Sequence, residues 1–228
     1  MDHLAEIQHV LNKAQLFHSL SEKEKRHLAE NSTLVKYGNR EHLFKQKSRI
    51  SHVLYVLNGL VKVFKENHHG RVVSLKVISG GHFAGLDTFF GQSEYKYSAS
   101  SVGDTEALMI DFATLVNQVV DNGKFALTLI REISMDALFI FDRLNSQSTK
   151  QLPGRVADVL LYFAEQIYHS YSFTFPLPRY ELAELAGSTK ESFIRTLNEF
   201  KHDKIIDLDG REVKIISLEL VKILCELG

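Results

Sequence analysis

The period of the apolar positions changes along the chain, and the changes mark out its parts. Leu4, Ile7, Val10, Leu11 and Ala14 lie on one stripe at helical spacing. Ser21, with Glu24 three residues on, reads as a capping box that opens a second helix before residue 31. From about residue 33 to 112 the pattern shortens to β runs: 53–57 before Asn58-Gly59, 60–64 after it, 72–78 between His68-His69-Gly70 and Gly80-Gly81, then 98–101 and 107–112. Short strands at close spacing predict a β-barrel or sandwich.

Residues 122–148 return to helical spacing. Ala126, Ile130, Ile133, Ala137, Ile140 and Leu144 repeat at intervals of four and three, the seam of a two-stranded coiled coil. A second apolar set, Leu127, Leu138 and Phe141, is expected to lie against the β-domain. Gln151-Leu152-Pro153-Gly154 predicts a helix break and a domain boundary. Residues 155–168 read as an amphipathic helix, 171–177 as a strand and 218–227 as a short closing helix.

Between them lies the stretch with the most chemistry. Residues 179–186 form a short helix with Leu182, Ala183, Leu185 and Ala186 on its buried face. Gly187 ends it, and Ser188 with Glu191 reads as a capping box for a second helix. Phe193, Ile194, Leu197 and Phe200 supply that helix's inner face, and its outer face gathers Thr189, Lys190, Glu191, Ser192, Arg195 and Glu199. A cation there can donate to guanine O6 and N7, and Glu can accept from cytosine N4. The hydroxyls and the helix N-terminus suit phosphates. Two apolar runs at 205–208 and 213–216 flank Asp209-Gly210, a hairpin signal. A helix-turn-helix followed at once by a hairpin is a winged arrangement, and DNA is the expected ligand. The candidate DNA-binding residues are Arg179, Ser188, Thr189, Lys190, Glu191, Ser192 and Arg195.

Composition narrows the remaining choices. A net charge of -1 gives no global attraction to nucleic acid, so binding must rest on a local patch. No apolar run approaches a membrane span and no signal-peptide pattern is visible, so a cytoplasmic protein without membrane contact is expected. One cysteine excludes an internal disulfide and the four thiolates of an iron–sulfur cluster. Eleven histidines leave haem open, yet His82 and His68-His69 lack metal-ligand spacing. No His-x-His pair of a metal-dependent cupin, phosphate loop or nucleophile elbow is present, so no catalytic site and no metal site is assigned.

The segment Gly187-Ser188-Thr189-Lys190-Glu191-Ser192-Phe193-Ile194-Arg195 resembles the G-x-S-R-E-T-V-x-R of the Crp/Fnr family of bacterial transcription regulators. The resemblance covers nearly the whole chain. It implies an α+β fold: an N-terminal β-roll like that of cyclic-nucleotide-binding domains, a long dimerisation helix and a C-terminal winged helix-turn-helix. It also implies that Lys190, Glu191 and Arg195 read bases. Lys190 stands where the family has Arg and cannot form the planar bidentate fork, so the preferred half-site is expected to differ or to be looser.

By the same resemblance, Gly59 and the Gly81-His82-Phe83 turn match the family's β-roll glycine and G-x-F. The effector pocket is expected at Gly85, Leu86, Asp87, Thr88, Lys96, Tyr97 and Ser98. Cyclic-AMP-binding members have G-E-L and, further on, R-S/T-A. Here Leu86 holds the glutamate position, and Lys96 or Tyr97 the arginine position. Cyclic AMP in the usual geometry is therefore disfavoured, because its polar groups would go unpaired. Another small effector, or a filled barrel without ligand, stays open.

The expected organisation is a sensing domain at 1–121, a dimerisation helix at 122–148 and a DNA-reading domain at 149–228. The expected partners are a palindromic DNA operator, a second copy of the chain, a small effector of unknown identity and, as a further candidate, RNA polymerase. The competing reading is a β-roll small-molecule-binding protein whose winged domain makes protein contacts.

Overall fold

The structure is a computed structural model that describes residues 3–70 and 72–227. It divides into two compact units, residues 1–71 with 77–138 and residues 72–76 with 139–228.

The first unit opens with α1 (His3–Lys13) and α2 (Glu22–Glu30). The capping box is formed: Ser21 Oγ accepts from the Glu24 N–H at 3.3 Å, and Glu24 Oε2 accepts from the Ser21 N–H at 2.6 Å. Hydrogen bonding of the carboxyl to the Ser21 side chain, and then to the Ser21 backbone N–H, holds Glu24 below its usual range. Ala14 lies beyond the first helix, at the start of a 3₁₀ turn, Gln15–Phe17, that buries Leu16 and Phe17.

Six strands follow: β1 (Ser32–Tyr37), β2 (His42–Phe44), β3 (His52–Glu66), β4 (Val72–Ser79), β5 (Phe83–Ala84) and β6 (Ser98–Asp111). Their sheet has the order β1-β6-β3-β4, with β2 paired to β6 and β5 to β3. The runs 53–57 and 60–64 are one continuous strand, so Asn58-Gly59 makes no hairpin. The register with β6 passes from Val56↔Ala107 through Asn58↔Glu106 to Leu60↔Val102. Because β6 pairs with both halves of β3, the two residues are absorbed as a bulge. The runs at 98–101 and 107–112 likewise merge into β6. Phe112 belongs to the next helix, α4 (Phe112–Asp121), which is capped by the Asp111 carboxylate accepting from the Thr114 N–H at 2.9 Å. A one-turn helix, α3 (Leu86–Phe89), follows β5.

The long helix α5 (Gly123–Thr149) contributes to both units, the division falling after Leu138. Phe125 and Leu129 are buried in the first unit, where the Phe17 ring meets Tyr55 at 5.0 Å and Phe125 at 6.0 Å. They fix the inward face. Leu127 and Leu138 lie half a turn away from it, and both are exposed, as is Phe141. The second apolar set therefore does not pack against the strands.

In the second unit α6 (Leu152–Leu161) carries Pro153 in its first turn. Leu152-Pro153-Gly154 thus opens the new helix, where a proline loses no hydrogen bond, and the break is confined to Lys150 and Gln151. A π-helical turn, Tyr162–Ile167, closes it. Then come β7 (Ser172–Thr174), α7 (Arg179–Leu185), α8 (Lys190–His202), β8 (Ile206–Asp209), β9 (Glu212–Ile215) and α9 (Leu218–Leu227). The strands pair in the order β7-β9-β8, giving the winged helix-turn-helix. Its core includes Phe163, Phe175, Leu182 and Phe193, all fully buried. Among the described residues no helix is long and apolar enough to cross a membrane.

Candidate nucleic-acid interface and effector pocket

Helix α7 packs through Leu182, Ala183 and Leu185, and the chain then turns at Gly187 with φ +59. That left-handed geometry costs glycine nothing. It returns the Ser188 N–H to the Ala183 carbonyl at 2.9 Å. Ser188 is thereby committed to finishing α7, and its hydroxyl also turns back, donating to the Ala183 carbonyl at 3.3 Å. The cap of α8 falls one residue later. Thr189 Oγ1 accepts from the Ser192 N–H at 3.2 Å, and Glu191 is the second residue of the helix, one short of a capping box. The Ser188–Glu191 box expected from sequence is not formed.

Phe193, Thr196, Leu197 and Phe200 bury the inner face of α8. Ile194 is only half-buried. Thr189, Lys190, Glu191 and Arg195 stand exposed, with Ser192 half-buried beside them. Glu191, Ile194, Arg195, Asn198, Glu199, His202 and Asp203 line an open groove along the helix. Arg195 Nε lies 3.8 Å from Glu199 Oε1, an exposed pair that solvent screens. Asn198 and His202 prolong the strip beyond the residues expected from sequence. Their i+3 and i+7 spacing from Arg195 was the signal that could have found them.

Arg179 is tied into the wing. Its guanidinium lies over the Phe175 ring at 4.9 Å, and Nη2 donates to the Gly210 carbonyl at 2.5 Å. Burial, then the nearby Arg211 charge, lower its pKa. It binds the tip of the wing to the head of α7 and is half-buried, where Lys190 and Arg195 are exposed. Lys201 Nζ, donating to the Leu208 carbonyl at 2.7 Å, secures the wing from α8. Arg155 on α6 donates to the Ala186 carbonyl at 2.8 Å and so steadies the turn from behind.

Of the seven residues expected to line an effector pocket in the first unit, Asp87 and Lys96 are exposed and the other five are buried. Gly85 takes φ +90 at the head of α3, and a Cβ there would stand 2.9 Å from the Tyr95 ring and 3.4 Å from that of Phe44. Leu86, Thr88, Tyr97 and Ser98 are buried. Thr88 donates to the Gly85 carbonyl at 2.9 Å, and Ser98 Oγ accepts from the Gln46 N–H at 2.9 Å. Lys96 and Tyr97 lie in the bend before β6; Lys96 is exposed, and Tyr97 is buried and donates to Asp87 Oδ1. Burial first, and then the Asp87 carboxylate, push the Tyr97 phenol well above its usual pKa, with a smaller contribution from Asp136 on α5. His82 Nδ1 lies 3.0 Å from Glu132 Oε2, also on α5. Among the described residues no three His, Cys, Asp or Glu side chains converge to hold a metal ion.

Of the expected seam on α5, Ile130 and Leu144 are 55% and 58% exposed. Ala137 and Ile140 are exposed too, and Ala126 and Ile133 half-buried. With Leu127, Met135, Leu138 and Phe141 they make a broad apolar face.

Two family models divide most of the chain between them. The Crp-like helix-turn-helix domain matches residues 154–222, and the cyclic nucleotide-binding domain matches residues 34–122. The chain belongs to the Crp/Fnr family. A CRP-like cAMP-activated global transcriptional regulator of Mycobacterium tuberculosis is 25% identical over 72% of this chain and 75% of its own. The Cyclic AMP receptor protein of Thermus thermophilus is 24% identical over 73% of this chain and 76% of its own. The structure of FixK2 from Bradyrhizobium japonicum superposes with a TM-score of 0.78 at 19% identity, over 85% of this chain and 96% of that one. The protein is thus a Crp/Fnr-type transcription regulator with a DNA-binding helix-turn-helix.

Proposed function

We propose that this Crp/Fnr regulator reads a two-fold DNA operator as a homodimer, with residues 1–121 sensing, 122–148 dimerising and 149–228 reading. The observation that carries the reading is the exposed face of α8. Lys190, Glu191 and Arg195 project from the N-terminal half of a helix whose opposite face is locked into the core by Phe193, Leu197 and Phe200. Such a helix enters the major groove N-terminal end first. Thr189, Ser188 and Ser192 lie at that end, where hydroxyls meet phosphates. The dimer is supported by the apolar face of α5, which a second copy of the same helix covers across a two-fold axis.

Selection of bound sequences from a random duplex library, with purified full-length protein and no added ligand, tests this. The expected product is a palindrome whose half-sites lie about 10 bp apart centre to centre. Recovery of single half-sites would refute the dimer, and unselective binding would refute base reading.

A further inference from the structure

In the second unit the C-terminal part of α5, α6 with its π-turn and the end of α7 line a cavity of about 230 Å³. That is the room of roughly eight water molecules, enough for one or two fused rings with a short acid arm. The Phe139 and Tyr162 rings line it with centroids 5.1 Å apart, and Val159 and Leu185 line it from buried positions. Such apolar surface suits a flat ring. Tyr162, Glu165 and Gln166 reach the cavity from the π-turn, a distortion that recurs at functional sites.

The charges around the cavity do not cancel. Asp158 is paired with Lys150, whose Nζ lies 2.7 Å from Oδ1, and Glu165 has Lys222 at 3.7 Å. Arg143 and Arg155 are held by backbone carbonyls instead. Arg143 donates to Leu75 and, at 3.0 Å, to Leu185; Arg155 donates to Ala186 and to Lys150, both at 2.8 Å. Among the described residues neither arginine forms an ion pair with a carboxylate. Asp142, the third lining carboxylate, stands exposed. With Lys222 included, Arg143, Lys150 and Arg155 outnumber these carboxylates by one charge. Burial lowers the pKa of Arg143, and an anion beside it would offset that cost. The carbonyls that the two arginines hold are those of Leu185 and Ala186, which close α7 just before Gly187. Gln147, also lining the cavity, packs against the turn, where a Cβ on Gly187 would stand 3.2 Å from it. A carboxylate binds guanidinium more strongly than a neutral carbonyl does. An anion here would therefore compete for both arginines with the turn that precedes α8.

We propose that this cavity binds a small aromatic carboxylate, with its ring against Phe139 and Tyr162 and its acid group on Arg143 and Arg155. Occupation loosens the turn before α8 and so weakens DNA binding. The effect on DNA rests on the reading of the protein as a DNA-binding regulator; the occupation of the cavity does not.

The test adds benzoate, indole-3-acetate and 2-naphthoate to the full-length protein, with indole-3-acetamide as the uncharged control. The chain has no tryptophan, so indole emission reports the probe alone. At least one carboxylate should bind saturably and raise the melting temperature. The amide should bind about tenfold more weakly than indole-3-acetate. Arg143→Gln should weaken the carboxylate about tenfold and leave the amide unchanged, a split that general loosening of the fold would not produce. Asp142→Lys changes only an exposed side chain and keeps the test decisive if Arg143→Gln does not fold; it should tighten the carboxylate about twofold at low salt. Absence of saturable binding by all three acids, equal affinity for acid and amide, or parental affinity in either folded variant overturns the site. On the operator selected as above, a saturating carboxylate should lower affinity at least about fivefold. Binding that leaves operator affinity unchanged overturns the effect on DNA. If the parent selects no operator, the DNA-binding reading falls, and probe binding still decides the site.

Discussion

Arg195 is the side chain on which base reading turns. It is exposed on α8, in screened contact with Glu199. Arg195→Ala should cost roughly 1–3 kcal/mol of operator binding and relax selection at one base pair of each half-site. Competitive titration against single-base operator variants would show it; a uniform loss across all variants would instead mark Arg195 as a phosphate contact. Asp111 illustrates how a residue sets stability. The Thr114 N–H, and then its hydroxyl at 3.0 Å, hold its carboxyl below the usual range. The bond therefore stabilises the fold fully above the unfolded carboxyl's pKa of about 3.9 and is lost as pH falls through the lowered folded value. Asp111→Ala should cost about 1 kcal/mol near neutrality. That difference should shrink in acid, and denaturant melts of both proteins at the two pH values would reveal a pH-independent gap if the cap is not its source. Ser188 and Thr189 show the limit of residue-level reading. Both are good caps, and only the Gly187 backbone decides which of them finishes one helix and which starts the next.

Among elements, α5 was the most legible in part and the least in detail. Its span follows from apolar spacing alone. The fate of Leu127, Leu138 and Phe141 does not, because periodicity cannot tell which stripe meets the strands until Phe125 and Leu129 are known to be the buried pair. Ile140→Glu places a charge in the proposed seam, where it would lack a partner. Sedimentation should then show a monomer with greatly weakened operator binding, whereas an intact dimer would move the interface elsewhere. Helix α4 escaped notice because Val116, Val119 and Val120 read as strand formers and the Asp111 cap sits at the end of a genuine strand. Asn58-Gly59 deceived for the opposite reason: its local preference is for a hairpin, and the long partner strand β6 overrode it.

At the scale of the whole molecule, the order of parts was visible because each has its own apolar period. The helix-turn-helix was visible because it sits in one contiguous segment. The β-roll interior was not, since Phe44, Gly85, Asp87, Tyr95 and Tyr97 are brought together by strand pairing from separated stretches. The tie of Arg179 to Gly210 was hidden for the same reason: the two are close only once the wing has folded. The Arg195–Glu199 pair bears on how such a protein tells its target from other DNA. Arg195 travels with the Glu199 carboxylate, on a molecule of net charge -1. The pair is screened by solvent and holds the guanidinium only weakly. The side chain is therefore open to any phosphate it meets, and what separates an operator from random DNA has to come from the base edges that the operator presents.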